Sequence, residues 1–225
     1  MANSPLGQEP LQNDLDFASE NRVLLEENGV VMVNLIGEPG AGKTTILEKA
    51  LPLLKTRLSM AVLLEEHSGS SFDRERVRAT GVEMVQVHGG EASCLNARMI
   101  NEVLRQLPLY DLDFVIVESG GDPGRAAELD LGDDLKFVVT SVTEEVDKPT
   151  HDPRAFRTAT AAIINKIDSL PVREFSLGAY IDQLIAINPG LKIFPLSAQN
   201  GEGIEELSSF IGRMVWKKRR NVEVA

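Results

Sequence analysis

One stretch constrains this chain more than any other. An aliphatic run from Val30 to Ile36 leads directly into GEPGAGKTT, which satisfies G-x-x-x-x-G-K-[ST] at Gly37, Gly42, Lys43 and Thr44, and a helix-length segment from Thr44 to Leu58 follows. A strand ending on such a loop and returning through a helix is the opening unit of an α/β sheet. Glycines let the loop turn its N–H groups inward around phosphates, and the helix start adds the positive end of its dipole. The predicted phosphate-binding residues are Gly37, Glu38, Gly40, Ala41, Gly42, Lys43, Thr44 and Thr45. Lys43 would reach the outer phosphate oxygens, and Thr44 would offer its hydroxyl to Mg²⁺.

The rest of the chain repeats that alternation. Short β-branched or aliphatic runs recur at Met60 to Leu64, Glu83 to Val87, Phe114 to Val117, Lys136 to Thr140, Ala161 to Ile164 and Lys192 to Phe194. Helix-length stretches lie between and after them, at Ser93 to Leu107, Ser176 to Ile187 and Gly203 to Trp216. Strands alternating with helices predict right-handed crossovers: an α/β P-loop NTPase, with a mostly parallel sheet of about seven strands and helices on both faces. Ligands of such sheets sit beyond the carboxyl ends of the strands. A lead-in over residues 1–28 reads as flexible or partly helical, the GTPase domain as residues 29–217, and residues 218–225 as a basic tail in which cations suit a helix end.

Base choice is written further along. AAIINKID ends a buried-strand run in Asn165, Lys166 and Asp168, and an aspartate there accepts two hydrogen bonds from N1–H and the 2-amino group of guanine, a donor pair adenine lacks. FPLSAQNGEG then supplies Ser197, Ala198 and Gln199 for a loop packed against the base. DFVIVESGGD ends a strand at Glu118, which would hold Mg²⁺ or its water shell, with Gly121 free to bring its amide to the γ-phosphate. Lys43, Glu118 and Gly121 are therefore the catalytic candidates, and Glu65 and Glu66, in LLEEH, are further magnesium candidates.

Charge and cysteine count narrow the partners. With 23 basic against 34 acidic residues, a net charge of −11, the chain has no surplus to neutralise a phosphate backbone, so nucleic acid is not an expected partner. A single cysteine, Cys94, excludes an internal disulfide and a self-contained cysteine zinc site. No apolar run reaches the ~18 residues of a membrane span, and MANSPLGQEPLQNDLDFASENR does not read as a secretory signal, so a cytoplasmic location without membrane attachment is expected.

Taken in order, GEPGAGKTT, the acidic second strand end, ESGGD, LDLGDDLKFVVTSVTEEVDKPTHDPRAFRTA, NKID and SAQNGEG resemble the hydrogenase nickel-insertion GTPases, whose near relatives are the urease nickel-insertion GTPases. The resemblance runs from about Val30 to Ile211, and its specific part is the acidic segment ending at Asp134 with Asp147, Lys148, Pro149, Pro153 and Phe156. It implies slow, Mg²⁺-dependent GTP hydrolysis that times metal transfer, a nucleotide-dependent homodimer, and a client metalloenzyme or accessory protein. It also implies Ni²⁺ or Zn²⁺ held by a Cys-His pair and a second cysteine. This chain has Ser93 and Cys94 at the pair and Arg125 at the loop cysteine, and either His67 or Glu66 replaces a family aspartate. An arginine cannot ligate a metal and repels one. As alternative transition-metal ligands, His67 and His88 fall, with Glu118, near strand ends on the nucleotide side, and Cys94 starts the helix after His88. Two functions follow: a metallocentre-assembly GTPase, or a GTP-binding interaction module of that ancestry without metal delivery.

Overall fold

The computed structural model describes residues 9–65, 71–87, 95–172 and 174–224. Its strands are β1 (Val31–Gly37), β2 (Met60–Glu65), β3 (Glu83–Val87), β4 (Phe114–Glu118), β5 (Leu135–Ser141), β6 (Ala161–Asn165) and β7 (Lys192–Pro195). They form one seven-stranded sheet in the order β3-β2-β4-β1-β5-β6-β7, and every pairing is parallel. Each aliphatic run expected as a strand is one; β1, β2, β4 and β6 are buried throughout, while the edge strands β3 and β7 are only partly buried. The helices are α1 (Glu9–Glu27), α2 (Lys43–Leu54), α3 (Ser71–Ala79), α4 (Ala97–Leu104), α5 (Pro123–Glu128), α6 (Lys148–His151), α7 (Arg154–Thr158), α8 (Leu177–Ile187) and α9 (Ile204–Val224).

Alternation along β1 divides the core. Val31, Val33 and Leu35 pack with Ile46, Leu47 and Leu51 of α2 and with Leu207, Ile211 and Val215 of α9. Met32 faces the other way, with Leu25 of α1 and Ile100 and Leu104 of α4, and Ile36 joins Ala126 of α5, Phe156 of α7 and Tyr180 and Leu184 of α8. β1 lies between β4 and β5, so its two neighbours are reached by crossovers of opposite direction, and the crevice between them opens at its carboxyl end.

The helices depart from their sequence outlines at the ends. α2 stops at Leu54 rather than Leu58, since the chain must turn to bring the Ser59 N–H to Asp113 Oδ2 at 2.8 Å. The helix expected from Ser93 starts at Ala97, where the Asn96 side chain caps it by accepting from Met99 N–H at 2.9 Å. The lead-in read as flexible or partly helical contains the 19-residue helix α1, whose Ala18, Asn21 and Leu25 are fully buried. Asn21 Nδ2 donates to the carbonyls of Ala97 and Leu131, an anchor that hydrophobic periodicity does not reveal. At the other end α9 runs on to Val224, past the expected Trp216. Two of its basic residues are paired with acids: Lys218 Nζ lies 2.7 Å from Asp134 Oδ1 and 3.7 Å from Glu26, and Arg219 pairs with Asp113.

The acidic segment before β5 is therefore a clamp. Asp134 Oδ2 accepts from Met32 N–H at 2.8 Å while Oδ1 holds Lys218, joining β1 to α9. Asp130 pairs with Arg22 of α1 and also accepts from Gly132 N–H at 3.0 Å. Asp134→Ala leaves the buried Met32 N–H without its acceptor and should cost about 1–3 kcal/mol. Lys218→Ala removes only a partly exposed ion pair and should cost less than about 1 kcal/mol. Urea unfolding of the two variants measures the difference, and equal losses would contradict the clamp.

Candidate functional site

The loop between β1 and α2 owes its shape to glycine. Gly40 has φ +83° and Gly42, at the cap of α2, φ +99°, the left-handed region that a side chain strains. At Gly37 the constraint is proximity: a Cβ would lie 2.4 Å from the Val139 carbonyl oxygen on β5. Lys43 is buried and curls back to donate from Nζ to the Gly37 carbonyl at 2.6 Å and to the Glu38 carbonyl at 3.3 Å. Burial lowers the Lys43 pKa, opposed by the carboxylates of Glu118, Glu65, Glu144 and Glu38.

A cleft of about 430 Å³ opens on this loop. Glu38, Gly40, Gly42, Lys43, Thr44, Thr45, Glu118, Gly121 and Lys166, all anticipated from the sequence, line it. Thr44 Oγ1 donates to Glu118 Oε1 at 3.4 Å, which sets a hydroxyl and a carboxylate side by side at the mouth of the loop. Such a hard oxygen pair fits Mg²⁺, which binds proteins through few oxygens and keeps most of its waters. Burial pushes the Glu118 carboxyl up to about 7, with Lys43 and the Thr44 hydroxyl pulling the other way. Glu65, at the end of β2, is also buried, and its Oε2 accepts from Gly120 N–H at 2.5 Å.

The second half of the site hangs on Asn165, at the end of β6. Its Nδ2 donates to the Ala41 carbonyl at 2.9 Å, and its Oδ1 accepts from Ala198 N–H at 3.0 Å and Lys166 N–H at 2.8 Å. Lys166, in a left-handed conformation at φ +64°, stretches over the phosphate loop to donate to the Gly40 carbonyl at 2.7 Å. Asp168 is exposed beyond it, and one of its oxygens accepts from the buried hydroxyl of Ser197. Ala198 is buried and Gln199 exposed in the same loop. The structure thus brings NKID, SAQ and the phosphate loop together, with the Asn165 amide committed largely to holding the three in place.

Sequence reading missed Asp73 and Arg76, which also wall the cleft from α3. Arg76 donates from Nε to Glu48 Oε2 at 3.1 Å and from Nη2 to Thr45 Oγ1 at 3.1 Å, and its Nη1 lies 3.4 Å from Asp73 Oδ1. The i, i+3 pair in FDRERVR was the available signal, overlooked because nine residues show little periodicity. Lys148, in the family-specific stretch, bridges Glu38 of the loop and Glu144, each at 2.6 Å.

Of the doubtful ligands, Glu66, His67, His88 and Cys94 lie outside the described residues, as does Ser93. Arg125 is exposed near the start of α5, where its N–H binds the Asp122 cap at 2.7 Å. No cluster of three or more His, Cys, Asp or Glu suited to a metal ion occurs among the described residues. No helix among them is long and apolar enough to cross a membrane.

An all-parallel sheet with a glycine-shaped phosphate loop at the end of its central strand defines a P-loop NTPase. A family model for the CobW/HypB/UreG nucleotide-binding domain matches residues 31–195, and the chain belongs to that family. It is 37% identical over 197 residues to the hydrogenase maturation factor HypB of Azotobacter chroococcum, covering 88% of this chain and 64% of the relative. This chain therefore spans just under two thirds of that protein's length. Among solved structures, HypB of Archaeoglobus fulgidus superposes with a TM-score of 0.83 at 29% identity, over 91% of this chain and 99% of that one. HypB of Helicobacter pylori in complex with nickel gives a TM-score of 0.81 at 29% identity, over 93% and 97%.

Two predictions test the site. Glu118 titrates near 7 when folded and near 4.5 when unfolded, so the folded state retains its proton between those values and stability falls as pH rises through 7. Glu118→Gln removes that penalty; without nucleotide and metal, its stability gain over the wild type should grow from pH 5 to pH 8, towards about 3 kcal/mol. An unchanging difference in melting across that range would contradict the shift. Gly42→Ala would place a Cβ 2.2 Å from Asn165 Nδ2, whereas a Cβ at Gly40 meets nothing within 4 Å. Titration with a fluorescent guanine nucleotide should therefore show a loss of about tenfold or more for Gly42→Ala and a smaller one for Gly40→Ala, for which left-handed strain of about 1–2 kcal/mol is the main cost.

Proposed function

We propose that the chain is a slow, Mg²⁺-dependent GTPase whose nucleotide state times the assembly of a metal centre, with a nickel enzyme of the hydrogenase type as client. The observation that carries this reading is the Asn165 bridge, which sets Asp168 beyond one side of the loop that Lys43 occupies. With guanine seated there, Asp168 would accept from N1–H and the 2-amino group, Ser197 would hold its carboxylate, and Ala198 and Gln199 would border the base. The triphosphate would lie along residues 37–45, in reach of loop N–H groups.

On the phosphate side, Thr44 and Glu118 would hold Mg²⁺, which when bound screens the β- and γ-phosphate oxygens. Attack by water forms a bond to the γ-phosphorus as the bond to the β,γ-bridging oxygen breaks; GDP departs with that oxygen, and the water's proton passes to the phosphate oxygens and on to solvent. Charge collects on the bridging and γ-oxygens, where Lys43 would exchange its contacts to the carbonyls of Gly37 and Glu38 for phosphate. Gly121, free of steric contact at φ +77°, would turn its amide to the γ-phosphate.

The metal-assembly part of the reading draws on the relatives, described as hydrogenase maturation factors, one of them in complex with nickel. It includes a cytoplasmic, nucleotide-dependent homodimer, with Ni²⁺ or Zn²⁺ as cargo. The exposed Arg125 supports a second reading, a GTP-gated interaction module without metal delivery, because a cation there opposes metal binding. Stoichiometric, GTP-dependent Ni²⁺ or Zn²⁺ uptake in a titration favours the first reading, and a GTP-dependent protein partner without metal uptake favours the second.

Two measurements test the GTPase itself. Purified chain with Mg²⁺ should release phosphate from GTP above a Lys43→Ala control, and equal rates would end this reading. Asp168→Ala should weaken GTP by about tenfold or more, the worth of hydrogen bonds to a charged acceptor, while leaving weak ATP binding unchanged. Parallel losses for both nucleotides would count against guanine selection.

A further inference from the structure

The carboxyl end of β2 sets a second buried carboxylate behind the phosphate loop, and one of its contacts is with backbone. Glu65 is 3% exposed, and its Oε2 accepts from Gly120 N–H at 2.5 Å. Gly120 sits between two residues of opposite character. Ser119 still belongs to the sheet, its N–H donating to the Leu35 carbonyl at 3.1 Å and its hydroxyl to Asn34 Oδ1 at 2.8 Å. Gly121 is exposed at φ +77° and lines the cleft. The chain thus leaves β4 at Ser119, and Glu65 grips it one residue later.

The described residues leave a small gap below that turn. A chamber of about 10 Å³ lies against it, walled by Glu65, Ser119, Gly120, Asp122, Leu95 and Leu131 among others. That is room for about one water. Nearby, Asn34 Nδ2 is buried on β1 and has no hydrogen-bond partner among the described residues. With the chamber on one side and the cleft on the other, the Glu65 contact ties Gly120 to the end of β2.

We propose that Glu65 is a positioning residue for triphosphate recognition: by holding Gly120 N–H it aims the following amide, that of Gly121, at the terminal phosphate. This rests on the GTPase reading and departs from the sequence expectation for Glu65, which made it a magnesium ligand. Glu65 touches neither nucleotide nor metal in this role. Its removal therefore acts on the contact that distinguishes GTP from GDP and spares those the two share.

The test measures, on the full chain with Mg²⁺, the affinities for GDP and for a non-hydrolysable GTP analogue. Glu65→Ala should weaken the analogue by about tenfold, the worth of a hydrogen bond to a charged group, and leave GDP within about twofold. Glu65→Gln, whose side-chain oxygen still accepts from Gly120 N–H, should restore most of the preference. Should Glu65→Ala not fold, Glu65→Asp, one methylene short of Gly120, carries the same expectation. Equal losses of both nucleotides in the Ala and Gln variants, with a higher Mg²⁺ requirement, would make Glu65 a metal ligand and overturn the proposal. An unchanged ratio in Glu65→Ala overturns it as well. A wild-type chain that binds neither nucleotide removes the GTPase reading itself, an outcome distinct from either.

Discussion

The side-chain amide of Asn165 is the contact on which the rest of the site depends. It is 2% exposed, so an unpaired amide there would be costly, and both its ends are used: one donates to the phosphate loop at Ala41, the other accepts from Ala198 and Lys166. Loops after β1, β6 and β7 thereby become one object. Gly42 is part of the same arrangement, because only a residue without Cβ leaves room for the amide. Two half-sites separated by more than a hundred residues are held in register by one planar group with no conformational freedom to spare.

The cleft's electrostatics follow from the same compactness. Glu38, Glu65, Glu118 and Glu144 all act on Lys43. Of the other cations close by, Arg76 and Lys148 are bound by Glu48 and by Glu38 and Glu144 respectively, and Lys166 donates to the Gly40 carbonyl. A polyanion entering such a place gains little until a divalent cation offsets the carboxylates. The acidic balance of the whole chain, −11, points the same way: its proposed partners are a metal-bound nucleotide and another protein.

Much of this was legible in the sequence where chemistry and periodicity coincide. The aliphatic runs became strands, most plainly where β1, β2, β4 and β6 are buried throughout, and the glycine and NKID motifs fell together because they end β1 and β6, two places apart in one parallel sheet. Helix α1 was not legible: its anchor is Asn21, a polar residue whose partners Ala97 and Leu131 lie far along the chain. Helices α3, α5, α6 and α7 span nine residues or fewer, too short for a period to show. Arg76 and Asp73 were lost with α3. The KKRR tail reads as solvated charge in isolation, and only the fold reveals that Lys218 and Arg219 have acids waiting at Asp134 and Asp113.

The place of β1 in the sheet has a consequence for the order in which the molecule can be built. β1 pairs with β4 and β5, and with neither β2 nor β3. Val31 finds its partner only at Phe114, and Gly37 only at Val139. A growing chain can join β2 to β3 early, but β1 and the glycine loop behind it stay unpartnered until the segments holding Phe114 and Val139 have been synthesised. Such non-local pairings are slow to close and leave apolar edges open meanwhile. The loop thus takes shape only once β4 and β5 are in place, so that a tightly held nucleotide would report that the middle of the sheet has closed.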